Sequence, residues 1–555
     1  MSPELIFKDP ILVNLLVMNI WNWKFTFFLL YTYCSRWIRS ELYTAIVDLE
    51  ELLKTEAILA ETLQNYISQQ ETKLVILKKQ AAHYISELEK ASKDPTDYLA
   101  NPINAYLLVK RLTSEWKNTE NLMKNDLYEE ISNNLTALRE NIKFPTDEDL
   151  SGAAIALTRL QDTYNLDTES LARGELNGVQ YSTKLSSDDC FELGRQSYNN
   201  KDFYHTVLWM QEALRKHETE QNETIISKWE ILEYLAYSLY MLGNVHKAAE
   251  LTEELLIIFP DHERAKGNLE YYKTHLQKNR HHEKKKGDDG EDDKEKVTDQ
   301  LDSFTLEKRS KYEMLCRGET GMTVREISKL KCRYTHKNNP FLLIAPLKEE
   351  DAYLNPRILL YRKIIYPNEI EIIKNKAKPR LQRATVQNHQ TGEQEPAHYR
   401  ISKSAWLKDT EDPVIANVRR RVEDMTSLTV TTAEELQVVN YGIGGHYEPH
   451  FDFAREEEKN AFKSLGTGNR IATMSDVAQG GATVFPLLDV ALWPERGSAA
   501  FWFNLHTSGM GNYLTRHAAC PVLQGSKWVS NVWLHEYGQE FVRPCRLEDA
   551  NTLNS

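Results

Sequence analysis

A heptad pattern of apolar residues constrains the fold of this chain more than any other feature of its sequence. Between residues 42 and 88, apolar residues recur at alternating steps of four and three, interrupted at Glu56 and Gln70. The apolar positions are Leu42, Ile46, Leu49, Leu53, Ala60, Leu63, Ile67, Leu74, Leu77, Ala81, Tyr84 and Leu88. A pattern of this length predicts a coiled coil that dimerises the chain, and the alternative is an intrachain helical hairpin. Because helical periodicity resumes after Asn104 and continues to about Asp167, we predict a helical coiled-coil dimerisation domain over residues 40–175.

Residues 186–275 predict a second helical unit, of the tetratricopeptide (TPR) type. Leu242, Gly243, Ala248 and Pro260 fall where such a repeat places its small residues and its terminal proline. The unit is rich in aromatic residues, among them Tyr198, Tyr204, Tyr234, Tyr237 and Tyr240. Aromatic grooves bind polyproline II peptides, because that helix is already ordered and its rings stack on aromatic faces. The tyrosines therefore predict a peptide-binding surface, although such rings can equally belong to a core.

The amino-acid composition of the chain changes after this unit. Residues 277–300 are almost wholly charged, which predicts a flexible linker. After about residue 335 short β-like runs alternate with Gly and Pro, which favours a β-sandwich or jelly roll. The runs are 358–361, 436–441, 482–485, 499–503 and 528–533, with outer helices near 367–377 and 412–426. We therefore predict an all-α N-terminal half followed by a double-stranded β-helix (jelly roll) with flanking helices over residues 335–548.

The sequence His450-Phe-Asp452 places an imidazole and a carboxylate on the same face of a strand. A distant histidine, such as His517, would complete a facial triad of two histidines and one carboxylate, which holds iron(II) and leaves positions open. Lys527 could supply the cation that a dicarboxylate cosubstrate needs at the far end of the pocket. Taken singly, His517 would be a structural histidine and Lys527 a surface lysine.

Several segments resemble the α subunits of collagen prolyl 4-hydroxylase. They are residues 448–455 (EPHFDFAR), 466–473 (GTGNRIAT), 480–486 (GGATVFP) and the segments around His517 and Lys527. The resemblance extends through nearly all of the chain after residue 40. It implies that His450, Asp452 and His517 bind iron, that Lys527 binds the distal carboxylate of 2-oxoglutarate, and that His535 lies beside this cosubstrate. The tyrosine-rich unit would then be the peptide-substrate-binding domain.

The resemblance also implies a disulfide pairing and a reaction. Cys316 would pair with Cys332 and Cys520 with Cys545, which leaves Cys190 free. The reaction would hydroxylate C4 of proline in X-Pro-Gly sequences of procollagen-like chains, coupled to oxidative decarboxylation of 2-oxoglutarate to succinate. It would use Fe(II), 2-oxoglutarate and O2, with L-ascorbate to rescue oxidised iron. The implied partner is protein disulfide isomerase, in a tetramer of two α and two β subunits in the endoplasmic reticulum lumen.

The N-terminus agrees with a secretory compartment. Lys24 precedes the apolar run 25–33 and Arg36 follows it, which predicts a signal peptide over residues 1–39, with a signal anchor or a misplaced start as alternatives. Asn134 and Asn222 each begin an Asn-X-Thr glycosylation triplet. The net charge of −13 argues against nonspecific nucleic-acid binding.

One segment departs from the family's usual pattern. In the family a Trp-Leu-Phe-Tyr tetrapeptide follows the position of Thr473, whereas here Thr473 runs directly into Met474. The missing tyrosine belongs to the cosubstrate pocket of the family, so its loss is expected to weaken both packing and 2-oxoglutarate binding. A splice-boundary error, a catalytically weak isoform, or a loop at 466–469 drawn into the gap would each account for it. The competing functions are an impaired isoform that binds proline-rich peptides as an assembly subunit, and an oxygenase for another residue such as lysine.

Overall fold

The structure is a computed structural model, and it describes most of the chain after residue 40. The described residues are 41–95, 102–124, 132–133, 135–139, 142–176, 178–220, 224–283, 311–319, 321–337, 339–387, 393–458, 461–462, 465–477 and 481–546. The predicted signal segment and both glycosylation acceptors, Asn134 and Asn222, lie outside them. Among the described residues, no helix is long and apolar enough to cross a bilayer.

Helices make up the N-terminal half of the described chain. They are α1 (Ile46–Lys93), α2 (Pro102–Lys110), α3 (Trp116–Lys124), α4 (Asp147–Tyr164), α5 (Thr168–Ala172), α6 (Ser187–Asn199), α7 (Phe203–Glu220), α8 (Lys228–Met241), α9 (Val245–Ile258) and α10 (Glu263–Glu283). Four more follow: α11 (Val324–Ile327), α12 (Pro340–Ile344), α13 (Pro367–Ala377) and α14 (Pro413–Thr426). Among the described residues, those within 48–145 form one compact unit and the others form a second.

Within the unit of residues 48–145, helix α3 packs against the long helix α1. Thr119 donates a hydrogen bond to Gln80 over 2.9 Å, and the ring centres of Tyr84 and Trp116 lie 5.9 Å apart. The intrachain hairpin is therefore present. One line of heptad positions nevertheless stays exposed along α1, and we call it the heptad seam: Leu53, Ala60, Ile67, Leu74, Ala81 and Leu88. Leu53 and Leu88 are 66% and 68% exposed, so an apolar stripe is left available for association.

Helices α6 to α10 form the predicted TPR-like unit around one apolar core. Helices α6 and α8 each begin with a serine capping box. The Asp189 carboxylate accepts a hydrogen bond from the backbone N–H of Ser186, and the Glu230 carboxylate accepts one from the backbone N–H of Ser227. Trp209, Met210, Ile231 and Leu232 are fully buried at its centre. α10 continues to Glu283, so the segment predicted to be a linker from residue 277 begins as helix. Residues 284–310 lie outside the described residues.

The C-terminal part consists of antiparallel strands in two main sheets, as predicted. Strands β1 (Glu175–Leu176) and β2 (Val179–Gln180) form a separate hairpin between α5 and α6. The strands of the C-terminal part begin with β3 (Cys332–Thr335), β4 (Leu347–Leu354), β5 (Arg357–Arg362), β6 (Gln382–Arg383), β7 (Thr385–Gln387), β8 (Gln394–Pro396) and β9 (Lys403–Leu407). They continue with β10 (Leu436–Asn440), β11 (Tyr447–His450), β12 (Arg470–Val477), β13 (Thr483–Phe485), β14 (Val490–Leu492), β15 (Ala499–Phe503), β16 (His517–Ala519) and β17 (Trp528–His535). The nine-stranded sheet has the order β3-β4-β5-β15-β12-β17-β10-β9-β6, and the four-stranded sheet has the order β11-β16-β13-β14.

Helices α13 and α14 flank the larger sheet at the predicted positions. α14 buries Ile415, Val418, Val422 and Met425, which recur at steps of three and four and so lie on one helical face. These side chains share the main core with strand residues such as Leu436. The prediction of a jelly roll with outer helices is confirmed.

The cysteine pairing differs from the one that the resemblance implied. Cys316 pairs with Cys520, with Cα atoms 5.6 Å apart, while Cys332 and Cys545 are free and exposed. The reason lies in the packing of the helical residues 311–316, whose Tyr312 and Leu315 are buried against β13 and β16. This packing brings Cys316 to the end of β16. Cys332 instead begins an edge strand, and Cys190 is buried and free, as expected.

Candidate active site

The two histidines of the predicted triad face each other on neighbouring strands. β11 and β16 are antiparallel with His450 opposite His517, and Asp452 follows two residues after β11 ends. Nε2 of His450 lies 3.5 Å from the Asp452 carboxylate, and Nε2 of His517 lies 3.6 Å from it. One potential ligand atom from each residue falls within 4.8 Å of the other two. The strand pairing thus gathers three residues that are far apart in sequence.

The hydrogen bonds of both histidines suit metal binding. Nδ1 of His450 is 2.8 Å from the carbonyl of Glu448, and Nδ1 of His517 is 3.0 Å from the carbonyl of Thr515. A backbone carbonyl accepts the Nδ1 proton, so each Nε2 presents its lone pair towards Asp452. Burial lowers the pKa of His517 to about 4, which keeps the ring neutral at physiological pH. Two imidazoles and one carboxylate form a ligand set that fits iron(II).

Asp452 is oriented by two donors on the larger sheet. Its Oδ2 accepts from Thr473 Oγ1 over 2.8 Å and from Trp533 Nε1 over 3.0 Å. Thr473 in turn accepts from Asn504, whose amide oxygen accepts from the Trp502 indole. Although burial opposes ionisation, the neighbouring His450 and Arg470 hold the pKa of Asp452 well below its usual range. The ligand is therefore a fixed carboxylate.

Lys527 is fully buried on the other side of the triad. Its Nζ donates to the carbonyl of Gly481 over 2.8 Å and lies 5.1 Å from the centre of the Tyr441 ring. Burial lowers the pKa of Lys527 to about 7. Lys527 and the three triad residues line one cavity of about 50 Å³. Lys527 therefore lines the same cavity as the three residues predicted to bind iron.

His535 is not among the residues that line this small cavity, and its place beside the cosubstrate stays a prediction. It is the last residue of β17, whereas Lys527 immediately precedes the strand, and at about 3.3 Å per residue the two are more than 20 Å apart along it. His535 instead packs behind Glu434, with Nε2 3.0 Å from Glu434 Oε1 and Nδ1 2.7 Å from the carbonyl of Gly468. Arg470 pairs with the same Glu434 and stacks over Trp533. Trp533, two residues before His535 in β17, is the residue whose indole donates a hydrogen bond to Asp452.

A wider cleft opens in front of the triad. Its volume is about 1150 Å³, and its walls carry aromatic and basic side chains as well as His450 and Asp452. These side chains include Tyr399, Tyr447, Trp406, Arg400 and Arg470. The Tyr447 ring stacks on His450 with centres 3.5 Å apart, and Arg400 lies over the Tyr447 ring. An extended peptide could approach the metal site through this cleft.

Four of the five predicted peptide-binding tyrosines form a continuous row in the TPR-like unit. Tyr198 contacts Tyr234 and Tyr237 with ring centres 4.9 and 5.6 Å apart, and Tyr237 continues to Tyr240. We call these four residues the tyrosine row. Tyr271 and Tyr272 of α10 extend it, with Tyr272 stacked on Tyr240 at 4.8 Å. The ring contact that the structure gives the exposed Tyr204 is with His205.

Comparison with known proteins identifies the family. Three family models match: Prolyl 4-Hydroxylase alpha-subunit, N-terminal region, over residues 45–178; Prolyl 4-hydroxylase peptide-substrate-binding domain over 187–278; and 2OG-Fe(II) oxygenase superfamily over 436–535. Human prolyl 4-hydroxylase subunit alpha-1 is 50% identical over 91% of this chain and 96% of its own length. The chain belongs to the prolyl 4-hydroxylase alpha-subunit family.

Other relatives agree with this assignment. Subunit alpha-2 of Caenorhabditis elegans is 50% identical over 92% of this chain and 94% of its own, and subunit alpha-2 of Gallus gallus is 48% identical over 91% and 95%. The crystal structure of the viral collagen prolyl hydroxylase from Paramecium Bursaria Chlorella virus-1 with 2OG covers 32% of this chain and 94% of that one. Its TM-score is 0.26 at 20% identity, too low to support an inference.

The strand that lacks the family's tetrapeptide is nevertheless a paired central strand. β12 lies between β15 and β17, and its pairing with β17 continues from Arg470 to Val477 with one irregularity near Ala472. Thr473 lies opposite Trp502 on one side and Trp533 on the other. Its hydroxyl lines the small cavity and bonds Asp452. A threonine therefore contributes to the cavity wall in this member of the prolyl 4-hydroxylase alpha-subunit family.

Four residues around the triad were not identified from the sequence: Thr473, Trp502, Asn504 and Trp533. They act on Asp452 through hydrogen bonds that depend on which strands are neighbours. Residues 533 and 535 of β17 lie on the same face of the strand, so strand alternation could have indicated that Trp533 faces the same side as His535. For Asn504 the residues themselves carry no comparable signal.

Proposed function

We propose that this chain is the catalytic alpha subunit of a procollagen-proline 4-dioxygenase. The proposed reaction converts a proline C4–H bond in an X-Pro-Gly sequence, O2 and 2-oxoglutarate into 4-hydroxyproline, succinate and CO2. The observation that carries the proposal is the cluster of His450, Asp452 and His517 beside the buried cation of Lys527. Membership of the family and the matched oxygenase domain support it.

Each residue of the site has a defined part in this proposal. The Nε2 atoms of His450 and His517 and the carboxylate of Asp452 would hold iron(II), which supplies oxygen activation when bound. Lys527 would bind the distal carboxylate of 2-oxoglutarate as a point charge in a dry pocket. Thr473 and Trp533 keep the Asp452 carboxylate in one orientation. The cleft would admit the proline-rich segment, and the tyrosine row would hold a further part of the same chain.

The size of the small cavity favours one alternative, a catalytically impaired subunit that binds proline-rich peptides and supports assembly. The cavity beside Lys527 measures about 50 Å³, and one water molecule needs about 10–15 Å³ of cavity volume, so the cavity holds only a few waters. 2-Oxoglutarate, with roughly ten non-hydrogen atoms, is larger than that. Lys527 would also have to release the carbonyl of Gly481 to bind a carboxylate. This alternative keeps peptide affinity and loses turnover.

Succinate release decides between these two functions. We would express the chain together with protein disulfide isomerase and follow 2-oxoglutarate decarboxylation with and without a (Pro-Pro-Gly) repeat peptide. Peptide-stimulated succinate is the expected result. A soluble complex that binds the peptide without turnover would favour the impaired subunit.

Iron stoichiometry tests the ligand assignment separately. His450→Ala removes one of three proposed ligands and is expected to abolish iron binding and turnover. His398→Ala, which changes an exposed histidine, serves as the matched control and should retain both. Full iron occupancy in the His450→Ala protein would contradict the assignment.

The cellular setting belongs to the same proposal. We propose a lumenal subunit of the endoplasmic reticulum that is glycosylated at Asn134 and Asn222, associates with protein disulfide isomerase and uses L-ascorbate to restore oxidised iron. The apolar run after Lys24 and the two acceptor triplets support the compartment. The exposed heptad seam supports homodimerisation through α1. Digestion of the secretory-expressed protein with a glycosidase, read as a mass shift, tests the compartment.

A further inference from the structure

Helix α4 lies between the TPR-like unit and the oxygenase domain, and polar side chains join it to the TPR-like unit. The Trp209 indole donates to Gln161 Oε1 over 2.9 Å, and His205 Nε2 lies 3.3 Å from Asp162 Oδ1. Trp209 is fully buried and Gln161 is 4% exposed. Leu157 of α4 also packs against the core of the TPR-like unit. This interface therefore combines apolar contact with specific hydrogen bonds.

The C-terminal part of α4 also contacts the oxygenase domain. Tyr164 donates its hydroxyl to the carbonyl of Pro521 over 2.6 Å, and Arg159 donates to the carbonyl of Gly444 over 3.3 Å. Arg317, which follows the disulfide cysteine Cys316, donates to the carbonyl of Thr163 over 3.0 Å. Burial raises the pKa of Tyr164 to about 12, so its hydroxyl remains a donor at physiological pH.

The two carbonyls that α4 contacts lie next to the strands that carry the metal ligands. Gly444 belongs to the turn between β10 and β11, and β11 ends at His450. Pro521 follows β16, which begins at His517. Gly444 has φ +55°, and a Cβ atom there would lie 2.7 Å from the carbonyl of Ala156 on α4. The absence of a side chain at this turn thus lets α4 approach the metal-ligand strands closely.

We infer that α4 is a rigid bridge that holds the TPR-like unit in a fixed alignment with the catalytic cleft, so that one proline-rich chain engages both surfaces at once. Gln161, Asp162 and Tyr164 are positioning residues in this arrangement. The inference rests on the proposed function, because it assigns the tyrosine row and the cleft to one substrate. It extends that function from two separate binding surfaces to a single extended site.

The physical basis is effective concentration. A peptide bound at the tyrosine row presents its remaining prolines to the cleft at a local concentration set by the geometry between the two surfaces. A fixed alignment keeps that concentration high, whereas a loose connection spreads it over a larger volume. Only a peptide long enough to reach both surfaces gains from the alignment.

The test compares a long and a short substrate in a variant that weakens the bridge. Gln161→Leu combined with Asp162→Asn removes the acceptor of the Trp209 indole and the charge facing His205, without touching the cleft or the tyrosine row. The expected result is a rise of about 5- to 10-fold in KM for a (Pro-Pro-Gly) peptide of about ten repeats, while KM for a two-repeat peptide and both kcat values stay within about twofold. Ile155→Ala, at an exposed position of the same helix, is the control and should change neither KM.

An equal effect on both peptides, or no effect on either in a folded protein, would overturn the inference. If the double variant does not fold, Tyr164→Phe decides the matter, because it removes one hydroxyl on the oxygenase side. It should raise KM for the long peptide about two- to threefold and leave the short peptide unchanged. If the unmodified chain shows no turnover, the proposed function fails, and calorimetric affinities for the two peptides still test the alignment.

Discussion

At the scale of single residues, Lys527 is the most informative side chain. It is fully buried, and within the residues that the structure describes its hydrogen bond goes to a carbonyl rather than to a carboxylate. A buried ammonium without a counter-charge destabilises the folded state, which is why its pKa falls to about 7. A position that is costly for stability and adjoins a metal triad is typical of a binding site.

Replacement of Lys527 by methionine should separate stability from function. Lys527→Met keeps the length of the side chain and removes the buried charge, so we expect the free energy of unfolding to rise by about 1–4 kcal/mol. Binding of 2-oxoglutarate should be lost. Chemical denaturation and calorimetric titration measure the two effects. Lys348→Met, at an exposed strand position, should change neither, and retained 2-oxoglutarate affinity in Lys527→Met would refute the role of Lys527.

The lowered pKa of Lys527 also predicts a pH dependence of cosubstrate binding. Only the protonated amine attracts the carboxylate, and in the free protein it loses its proton above a pH of about 7. The Kd for 2-oxoglutarate should therefore be flat with respect to this group below pH 7 and rise up to about tenfold per pH unit above it. Titrations in buffers with different ionisation enthalpies should show proton uptake on binding near pH 8. A Kd that does not change between pH 7 and pH 9 would contradict this prediction.

At the scale of elements, β12 is a central strand of the larger sheet although it lacks the tetrapeptide of the family pattern. Its pairing with β15 and β17 places Thr473 between Trp502 and Trp533, directly behind Asp452. The hydroxyl of Thr473 both donates to Asp452 and accepts from Asn504. The strand therefore contributes to the site through one hydroxyl at a central position.

The substitution Thr473→Val tests this contribution with almost no change in shape. It leaves the Asn504 amide without its acceptor and Asp452 with one donor fewer. We expect iron(II) affinity to fall by about 10- to 100-fold and stability to fall by about 1–3 kcal/mol. Fluorescence-monitored iron titration and thermal unfolding measure these. Thr426→Val on the flanking helix α14 is the control for loss of a threonine hydroxyl and should leave iron affinity unchanged.

The heptad seam on α1 gives the second prediction for an element. Leu74→Glu combined with Ile67→Glu places charges in an apolar stripe while leaving a helix-forming sequence. We expect the homodimer to dissociate at least tenfold more readily, with peptide binding retained. Light scattering after size-exclusion chromatography measures the mass. Lys79→Glu, on the opposite side of the heptad, is the control, and an unchanged dimer in the seam variant would refute association through this stripe.

At the scale of the whole molecule, the disulfide between Cys316 and Cys520 joins the segment before the oxygenase sheets to the residue that follows β16, the strand of the proposed iron ligand His517. Its two cysteines are 204 residues apart, so it closes a long loop in the unfolded chain. In the chain-entropy model a loop of that length corresponds to about 5 kcal/mol of stabilisation. The disulfide therefore links the middle of the chain to the strand of His517, one of the proposed iron ligands.

Peptide mapping without reduction should recover a peptide pair that contains Cys316 and Cys520. Cys316→Ser should lower the free energy of unfolding by about 2–5 kcal/mol. Cys332→Ser, at an exposed position, should lower it by less than about 0.5 kcal/mol. Recovery of Cys316 linked to Cys332 would instead support the pairing that the family resemblance implied.

Strand alternation, heptad spacing and turn residues are features of short stretches of sequence, and they predicted the positions of many helices and strands. The predicted runs 499–503 and 436–441 correspond to β15 and β10, and the outer helices predicted near 367–377 and 412–426 correspond to α13 and α14. Helix α10 extends into charged sequence as far as Glu283, past the predicted start of the linker at residue 277. Charged residues are compatible with helix, so composition alone did not locate that boundary.

The sequence by itself determined the metal-ligand candidates, the tyrosines and the order of the domains, because each is carried by residue types at short spacing or by extended resemblance. Only the tertiary structure decided that Cys316 pairs with Cys520, that His535 contacts Glu434, and that α4 contacts both the TPR-like unit and segments next to the strands of His450 and His517. The physical reason is that these contacts join segments far apart in the chain. They depend on which sheet edges and helix faces become neighbours when the core is buried, and local patterns carry no information about that.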